Sequence, residues 1–148
     1  NGFQLPGFAR RVGLLALDGA PIRILPLIEQ ALDQSAGVAL FYQKSLHPNT
    51  LNWIPSSVEI APLSDLKDNL SWPDFLAVEI ARENIDDLTA LFSEVAPGFH
   101  RQVLVNTAMP CRGIGACGVC TVKTRHGWRQ ACTDGPVFPL KELLHVAG

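Results

Sequence analysis

No run of apolar residues in this sequence approaches the ~18 needed to cross a bilayer, and the longest, such as Val12 to Leu17, stop far short. A membrane span is therefore not expected, and the cytoplasm is the expected compartment. Arg10-Arg11 ahead of that stretch mimics a secretory start, but Asp18 interrupts it and no small-residue cleavage site follows. Basic residues form no long cluster and the aromatics are not interleaved with them, which argues against a nucleic-acid partner. Internal repeats and low-complexity tracts are missing as well. The four histidines, at 47, 100, 126 and 145, lack the spacing to a cysteine pair that a Rieske centre needs. The first residue is Asn1 rather than Met, so the expectation is a chain cut from something longer.

What is present is enough for one ordinary core. With 148 residues and 47% hydrophobic content, the chain can fold one domain and share its core with a small appended module. The net charge of −2 conceals a split: residues 1–100 carry 6 Lys+Arg against 12 Asp+Glu, and residues 101–148 carry 6 against 2. The basic excess travels with the cysteines.

Residues 1–105 read as alternating strands and helices. Arg11 to Leu17 is a buried strand leaving into a turn at Asp18-Gly19-Ala20-Pro21. Leu25, Leu27, Ile28, Ala31 and Leu32 recur at helical spacing, with Pro26 in the first turn and Gly37 as the stop. Val38 to Tyr42 is the next strand. Strand, helix and strand within about thirty residues is the pattern of a right-handed parallel crossover. Gln43 to Pro73, rich in proline, reads mostly as loop, with Val58-Glu59-Ile60 as a short strand. Phe75 to Ile80 resumes the strand pattern, Ile85, Leu88, Leu91, Phe92 and Val95 mark an amphipathic helix ended by Pro97-Gly98, and Gln102 to Val105 closes the sheet. The expected fold class is α/β, a doubly wound parallel sheet of four or five strands with helices on both faces.

From Met109 onward the chain turns to glycine, cysteine and short alternating runs. Thr121 to Thr124 and Trp128 to Ala131 flank Arg125-His126-Gly127 as a hairpin, and Pro139 to His145 reads as a final short helix. This tail is too small for a core of its own and needs a metal or its neighbour to hold it.

All four cysteines lie within 22 residues as C-x5-C-x2-C-x11-C, at Cys111, Cys117, Cys120 and Cys132. Thiolates are the ligands iron–sulfur clusters require, and three on one loop with a fourth further on is close to the plant-type C-x4-C-x2-C…C spacing. Gly113, Gly115 and Gly118 let the backbone wrap a cluster and aim N–H groups at its sulfides. The reading is a [2Fe–2S] cluster, whose negative charge would be favoured by Arg112, Lys123, Arg125 and Arg129; a solvated face explains those cations equally well. Three alternatives stand beside the cluster. Structural zinc also takes four cysteines, although usually from two C-x2-C knuckles, and only Cys117 and Cys120 form one. Disulfides need an oxidising compartment, and thiol catalysis needs an arranged histidine.

Met109-Pro110-Cys111-Arg112-Gly113-Ile114-Gly115-Ala116-Cys117-Gly118-Val119-Cys120, followed by Cys132-Thr133-Asp134-Gly135-Pro136-Val137-Phe138, resembles the electron-transfer subunit of dihydroorotate dehydrogenases. Asn1-Gly2-Phe3 resembles the start of the second part of that family's chain, so the resemblance covers the whole sequence. It implies a pyridine-nucleotide domain of the ferredoxin-reductase type over residues 1–105, a [2Fe–2S] module over 106–148, and a flavin-binding barrel, with its FAD, ahead of both. It further implies that electrons pass between the flavin and a partner dehydrogenase or oxidoreductase subunit, with no catalytic side chain beyond the cluster ligands.

The sequence departs from that family at three places. Its first strand ends in Leu17-Asp18-Gly19-Ala20-Pro21-Ile22-Arg23, where the family has a glycine-rich phosphate turn; only Gly19 remains as a candidate cofactor contact. The strand that usually ends in Cys-Gly-Pro beside the nicotinamide reads Ala77-Val78-Glu79-Ile80-Ala81. The spacing after Cys111 is x5 rather than x4. NAD(H) is therefore expected to bind weakly or not at all. The runner-up reading is a non-redox interaction module with a structural four-cysteine zinc site.

Overall fold

The apolar runs of the sequence become parallel strands. A computed structural model describes residues 2–43, 46–92 and 100–144. Strands β1 (Arg11–Ala16), β2 (Gly37–Tyr42), β3 (Glu59–Pro62), β4 (Phe75–Ala81) and β5 (His100–Asn106) pair in parallel in the order β3-β2-β1-β4-β5. Between them lie helices α1 (Pro26–Asp33), α2 (Pro48–Leu51), α3 (Leu66–Asn69) and α4 (Asp86–Phe92). The cysteine tail adds β6 (Thr121–Thr124), β7 (Gly127–Gln130), β8 (Val137–Pro139) and α5 (Leu140–Leu143).

The strands are apolar on both faces because both faces are covered. Val12, Leu14, Ala16, Val38, Leu40, Phe75 and Ala77 point toward α1, which meets them with Leu27, Ile28 and Ala31. Leu15, Leu76, Val78, Ile80, Val103 and Val105 point the other way, toward Leu88 and Phe92 of α4. Cys120, Val122, Ala131, Phe138, Leu140 and Leu143 of the tail join that second core. The tail thus leans on its neighbour. Each fully buried Leu or Phe there is worth about 1.5–3 kcal/mol, more than a segment this short could gather alone.

The tail also enters the sheet. β8 runs antiparallel to β5, pairing Val103 with Phe138 and Leu104 with Val137, so a sixth strand that was not foreseen joins the five parallel ones, which fall within the four or five expected. Gly135 is required at the approach to this strand: a Cβ there would lie 2.5 Å from the Phe138 ring.

Other departures from the sequence expectation are local. α1 ends at Asp33 with Gln34 as its C-cap, and Ser35 beyond it takes the left-handed conformation (φ 57°) while the Ala36 N–H closes on the Ala31 carbonyl at 2.9 Å; Gly37 opens β2 instead of stopping the helix. The third strand begins at Glu59, and the stretch read as loop holds α2, α3 and a 3-10 turn at Leu63–Asp65. α4 is formed from Asp86 to Phe92; Val95 and Pro97-Gly98 lie outside the described residues. The hairpin falls where expected, with Gly127 inside β7 and Ala131 beyond it. α5 begins at Leu140 with Pro139 at its N-cap, and His145 lies outside the described residues. Among the described residues no helix is long and apolar enough to cross a membrane.

Candidate iron–sulfur site

The loop from Met109 to Cys120 contains four residues with positive φ: Arg112 (54°), Gly113 (87°), Gly115 (74°) and Gly118 (68°). Such backbone turns the N–H groups of successive residues toward one side, a concavity suited to anionic sulfur. The Cys111 sulfur lies in it. Hydrogen bonds from the backbone N–H of Ala116 above all, then from the Cys117 thiol, bring its pKa down to about 6, with the Gly113 and Cys117 N–H groups assisting. Gly115 is needed where it stands: besides its φ, a Cβ would meet Gln130 Oε1 at 2.9 Å and Thr133 Cγ2 at 3.1 Å.

The structure brings the four sequence-predicted cysteines together as two pairs. Cys117 hydrogen-bonds to Cys111, and Cys132 to Cys120, with Cys111 near enough to Cys132 to influence its charge. The Cys120 contact, followed by burial, pushes the Cys132 thiol upward. All four are free thiols; Cys120 is buried, Cys111 and Cys132 half-buried and Cys117 exposed. Among the described residues no group of three or more Cys, His, Asp or Glu side chains closes around a point that one metal ion would occupy. Backbone N–H groups reach two of the sulfurs, those of Ala116, Gly113 and Cys117 at Cys111 and that of Gly115 at Cys132.

Arg112, Lys123, Arg125 and Arg129 are exposed around this loop and hairpin. One cation was not foreseen. Arg82, in the 3-10 turn that follows β4, donates from Nη1 to the Val119 carbonyl at 2.8 Å and to the Thr121 carbonyl at 3.5 Å. Nothing in its sequence neighbourhood signals this, because its partners lie 37 and 39 residues away.

Gly19, the remaining nucleotide-turn candidate, sits in open surroundings with no positive φ. The turn is occupied by its own side chains. Asp18 Oδ2 accepts from the Ala81 N–H at 2.6 Å, and Oδ1 from Asn84 Nδ2 at 2.6 Å. Arg23 Nη1 meets Glu79 Oε1 at 3.0 Å, and Glu79 is only 7% exposed. Its Oε2 is buried without a hydrogen-bond partner, and burial pushes its pKa up against the pull of Arg23. The charge on Arg23 that a ligand phosphate would use is committed to Glu79.

Residues 106–144 match the family described as the iron–sulfur cluster binding domain of dihydroorotate dehydrogenase B. Over 36 residues, 24% of this chain and 14% of the relative, the sequence is 61% identical to the electron transfer subunit of dihydroorotate dehydrogenase B (NAD(+)) from Clostridium acetobutylicum. Over 46 residues, 31% of this chain and 15% of the relative, it is 41% identical to sulfhydrogenase 1 subunit gamma from Pyrococcus furiosus. The aligned segments thus span about a seventh of each relative. A solved NADH-dependent reduced ferredoxin-NADP oxidoreductase, studied for flavin-based electron bifurcation, superposes on 89% of this chain and 53% of its own, with a TM-score of 0.66 at 18% identity. That likeness concerns the fold, which is of the ferredoxin-reductase kind. Residues 106–144 are thus similar to the iron–sulfur cluster binding domain of dihydroorotate dehydrogenase B electron transfer subunits.

Proposed function

We propose that this chain is part of an electron-transfer subunit in which Cys111, Cys117, Cys120 and Cys132 ligate a [2Fe–2S] cluster, and that it relays electrons between a flavin and a partner oxidoreductase subunit. The observation that carries the reading is the convergence of four thiols, three on a loop of positive φ and Cys132 from beyond β7, within a segment that matches an iron–sulfur domain. Thiolates are the ligands that iron–sulfur clusters require, and the C-x5-C-x2-C-x11-C spacing is nearer to theirs than to the paired knuckles of structural zinc. The cluster, when bound, supplies one-electron chemistry that no side chain can.

The protein's own part is to hold and tune. The N–H groups of Gly113, Ala116 and Cys117 would lower the charge cost at Cys111, as they do for its thiolate. Residues 1–105 serve in this reading as a degenerate pyridine-nucleotide-like domain, and 106–148 as the cluster module. FAD would belong to a preceding barrel, and NAD(H) is not expected to bind at the Gly19 turn, for the Asp18 and Arg23 contacts leave no backbone cradle for a pyrophosphate. The names of the relatives support a multi-subunit oxidoreductase as the setting.

The test is an ultraviolet-visible spectrum of protein purified without oxygen. Broad absorption between roughly 400 and 550 nm, bleached by dithionite, is the expected result. A colourless protein carrying one equivalent of zinc would replace this reading with a structural module.

A further inference from the structure

We infer that Arg82 and Asp18 are positioning residues for the cluster loop: the turn that in a nucleotide-binding domain would face a phosphate here anchors an arginine that holds Cys120. The inference rests on the iron–sulfur reading above. It begins at Asp18, just beyond β1, whose carboxylate accepts from the Ala81 N–H and the Asn84 amide, both at 2.6 Å. These two residues bracket Arg82. Pinned on either side, the 3-10 turn Arg82–Asn84 projects the guanidinium across to the tail, where it takes the carbonyls of Val119 and Thr121.

Those are the carbonyls on either side of Cys120. Cys120 is 1% exposed, and its own carbonyl accepts from the Ala131 N–H at 3.0 Å. With its peptide neighbours clamped by Arg82 and the Thr121 N–H closed onto the Gly118 carbonyl at 3.1 Å, the Cα–Cβ direction of this cysteine has little freedom. Arg82 and Ile85 form one wall of a groove of about 370 Å³ whose other wall is Thr121, Lys123 and Trp128, so the arginine stands at the seam between the sheet and the hairpin. A guanidinium keeps its charge at every working pH, and here a single nitrogen, Nη1, serves both carbonyls. Placed beside a centre that gains a negative charge on reduction, it favours the reduced form.

The test uses the full chain with its cluster and compares the wild type with Arg82→Met, Arg82→Lys, Asp18→Ala and the double variant Asp18→Ala/Arg82→Met. The readouts are the reduction potential, by spectroscopic titration, and the rate of iron release to a chelator. Arg82→Met should lower the potential and speed release about tenfold, the usual cost of losing a partner behind a metal ligand. Arg82→Lys keeps the charge but not the reach and fixed orientation of Nη1, so it should restore the potential more fully than the release rate. Asp18→Ala should shift both readouts in the same direction, and the double variant should differ little from Arg82→Met because both changes act through one contact. Wild-type values for both readouts in Arg82→Met, or fully additive effects in the double variant, would overturn the inference. A wild-type chain without the cluster spectrum would sink the iron–sulfur reading and this inference with it. A normal spectrum with unresponsive Arg82 variants would sink this inference alone.

Discussion

Two turns in this molecule could each present backbone N–H groups to an anion, and they have gone opposite ways. The turn after β1, from Leu17 to Arg23, has one glycine without positive φ, a proline, and side chains that satisfy one another: Asp18 with Ala81 and Asn84, Arg23 with Glu79. The loop from Met109 to Cys120 has four residues with positive φ and N–H groups converging on a sulfur. Glycine content alone does not separate them. What separates them is whether the conformation needs the missing Cβ. Of the two, only the loop near the tail gathers N–H groups about one sulfur, and the contacts of the first turn lead toward the tail through Arg82.

The largest effect expected from this contrast is at the cysteines. Cys117→Ser or Cys120→Ser should abolish cluster binding and loosen residues 109–148, and Cys132→Ser should release the cluster as well. Iron and sulfide analysis together with limited proteolysis reads both consequences. Full cluster content in any of these single variants would remove that cysteine from the ligand set.

Glycine substitutions sharpen the contrast directly. Gly115→Ala forces a side chain into φ +74° and against Gln130 and Thr133, so it should cost about 1–2 kcal/mol in urea unfolding of the full chain. At Gly19 a Cβ meets nothing within 4 Å and φ is not positive, so Gly19→Ala should stay within about 0.5 kcal/mol of wild type. Equal costs at the two positions would dissolve the distinction between the turns.

Much of this was legible beforehand, for a physical reason. Strands buried on both faces leave near-continuous apolar runs, so β1, β2, β4 and β5 announced themselves in Val12 to Leu17, Val38 to Tyr42, Phe75 to Ile80 and Gln102 to Val105. The cysteine spacing likewise pointed to the thiols that the fold brings into pairs. β8 left no such trace: three residues ending in Pro139 pair only because the free edge of β5 is there to receive them. The same holds for contacts across the sheet. Arg23 and Glu79 stood in two of the segments where the sequence departs from the family it resembles, but their pairing spans 56 residues and depends on β4 lying beside β1. Arg82 is the same case.

A third prediction concerns the nucleotide. If the first turn is filled as the contacts indicate, calorimetry with NADH should give a dissociation constant no tighter than about 1 mM, equivalent to ~4 kcal/mol. A micromolar constant would mean that the Arg23–Glu79 pair opens to admit a ligand, and the two turns would then differ in degree only.

The smallest expected effect lies in that same pair and has a definite sign. Glu79 is buried, and desolvation raises its pKa above the ordinary value of 4.5 despite the Arg23 contact, with Asp18 pushing the same way. A carboxyl whose folded pKa is raised contributes stability that is complete below the unfolded value and is lost as pH rises through the folded one. Glu79→Gln removes that dependence. Thermal unfolding of both forms from pH 4 to pH 8 should therefore show the variant gaining on the wild type as pH rises, by about 3 °C or less. Asp74, just before the same strand, supplies the opposite control: Arg11 holds its pKa below 3.8, mainly through a side-chain hydrogen bond, the N–H groups of Arg10 and Arg11 assisting. Its stabilisation is present above that value and fades as pH falls, so Asp74→Asn should lose ground to the wild type as pH rises from acid. Should Glu79→Gln instead lose ground with rising pH, the Arg23 attraction would outweigh burial, and the first turn would be held shut by charge more than by packing.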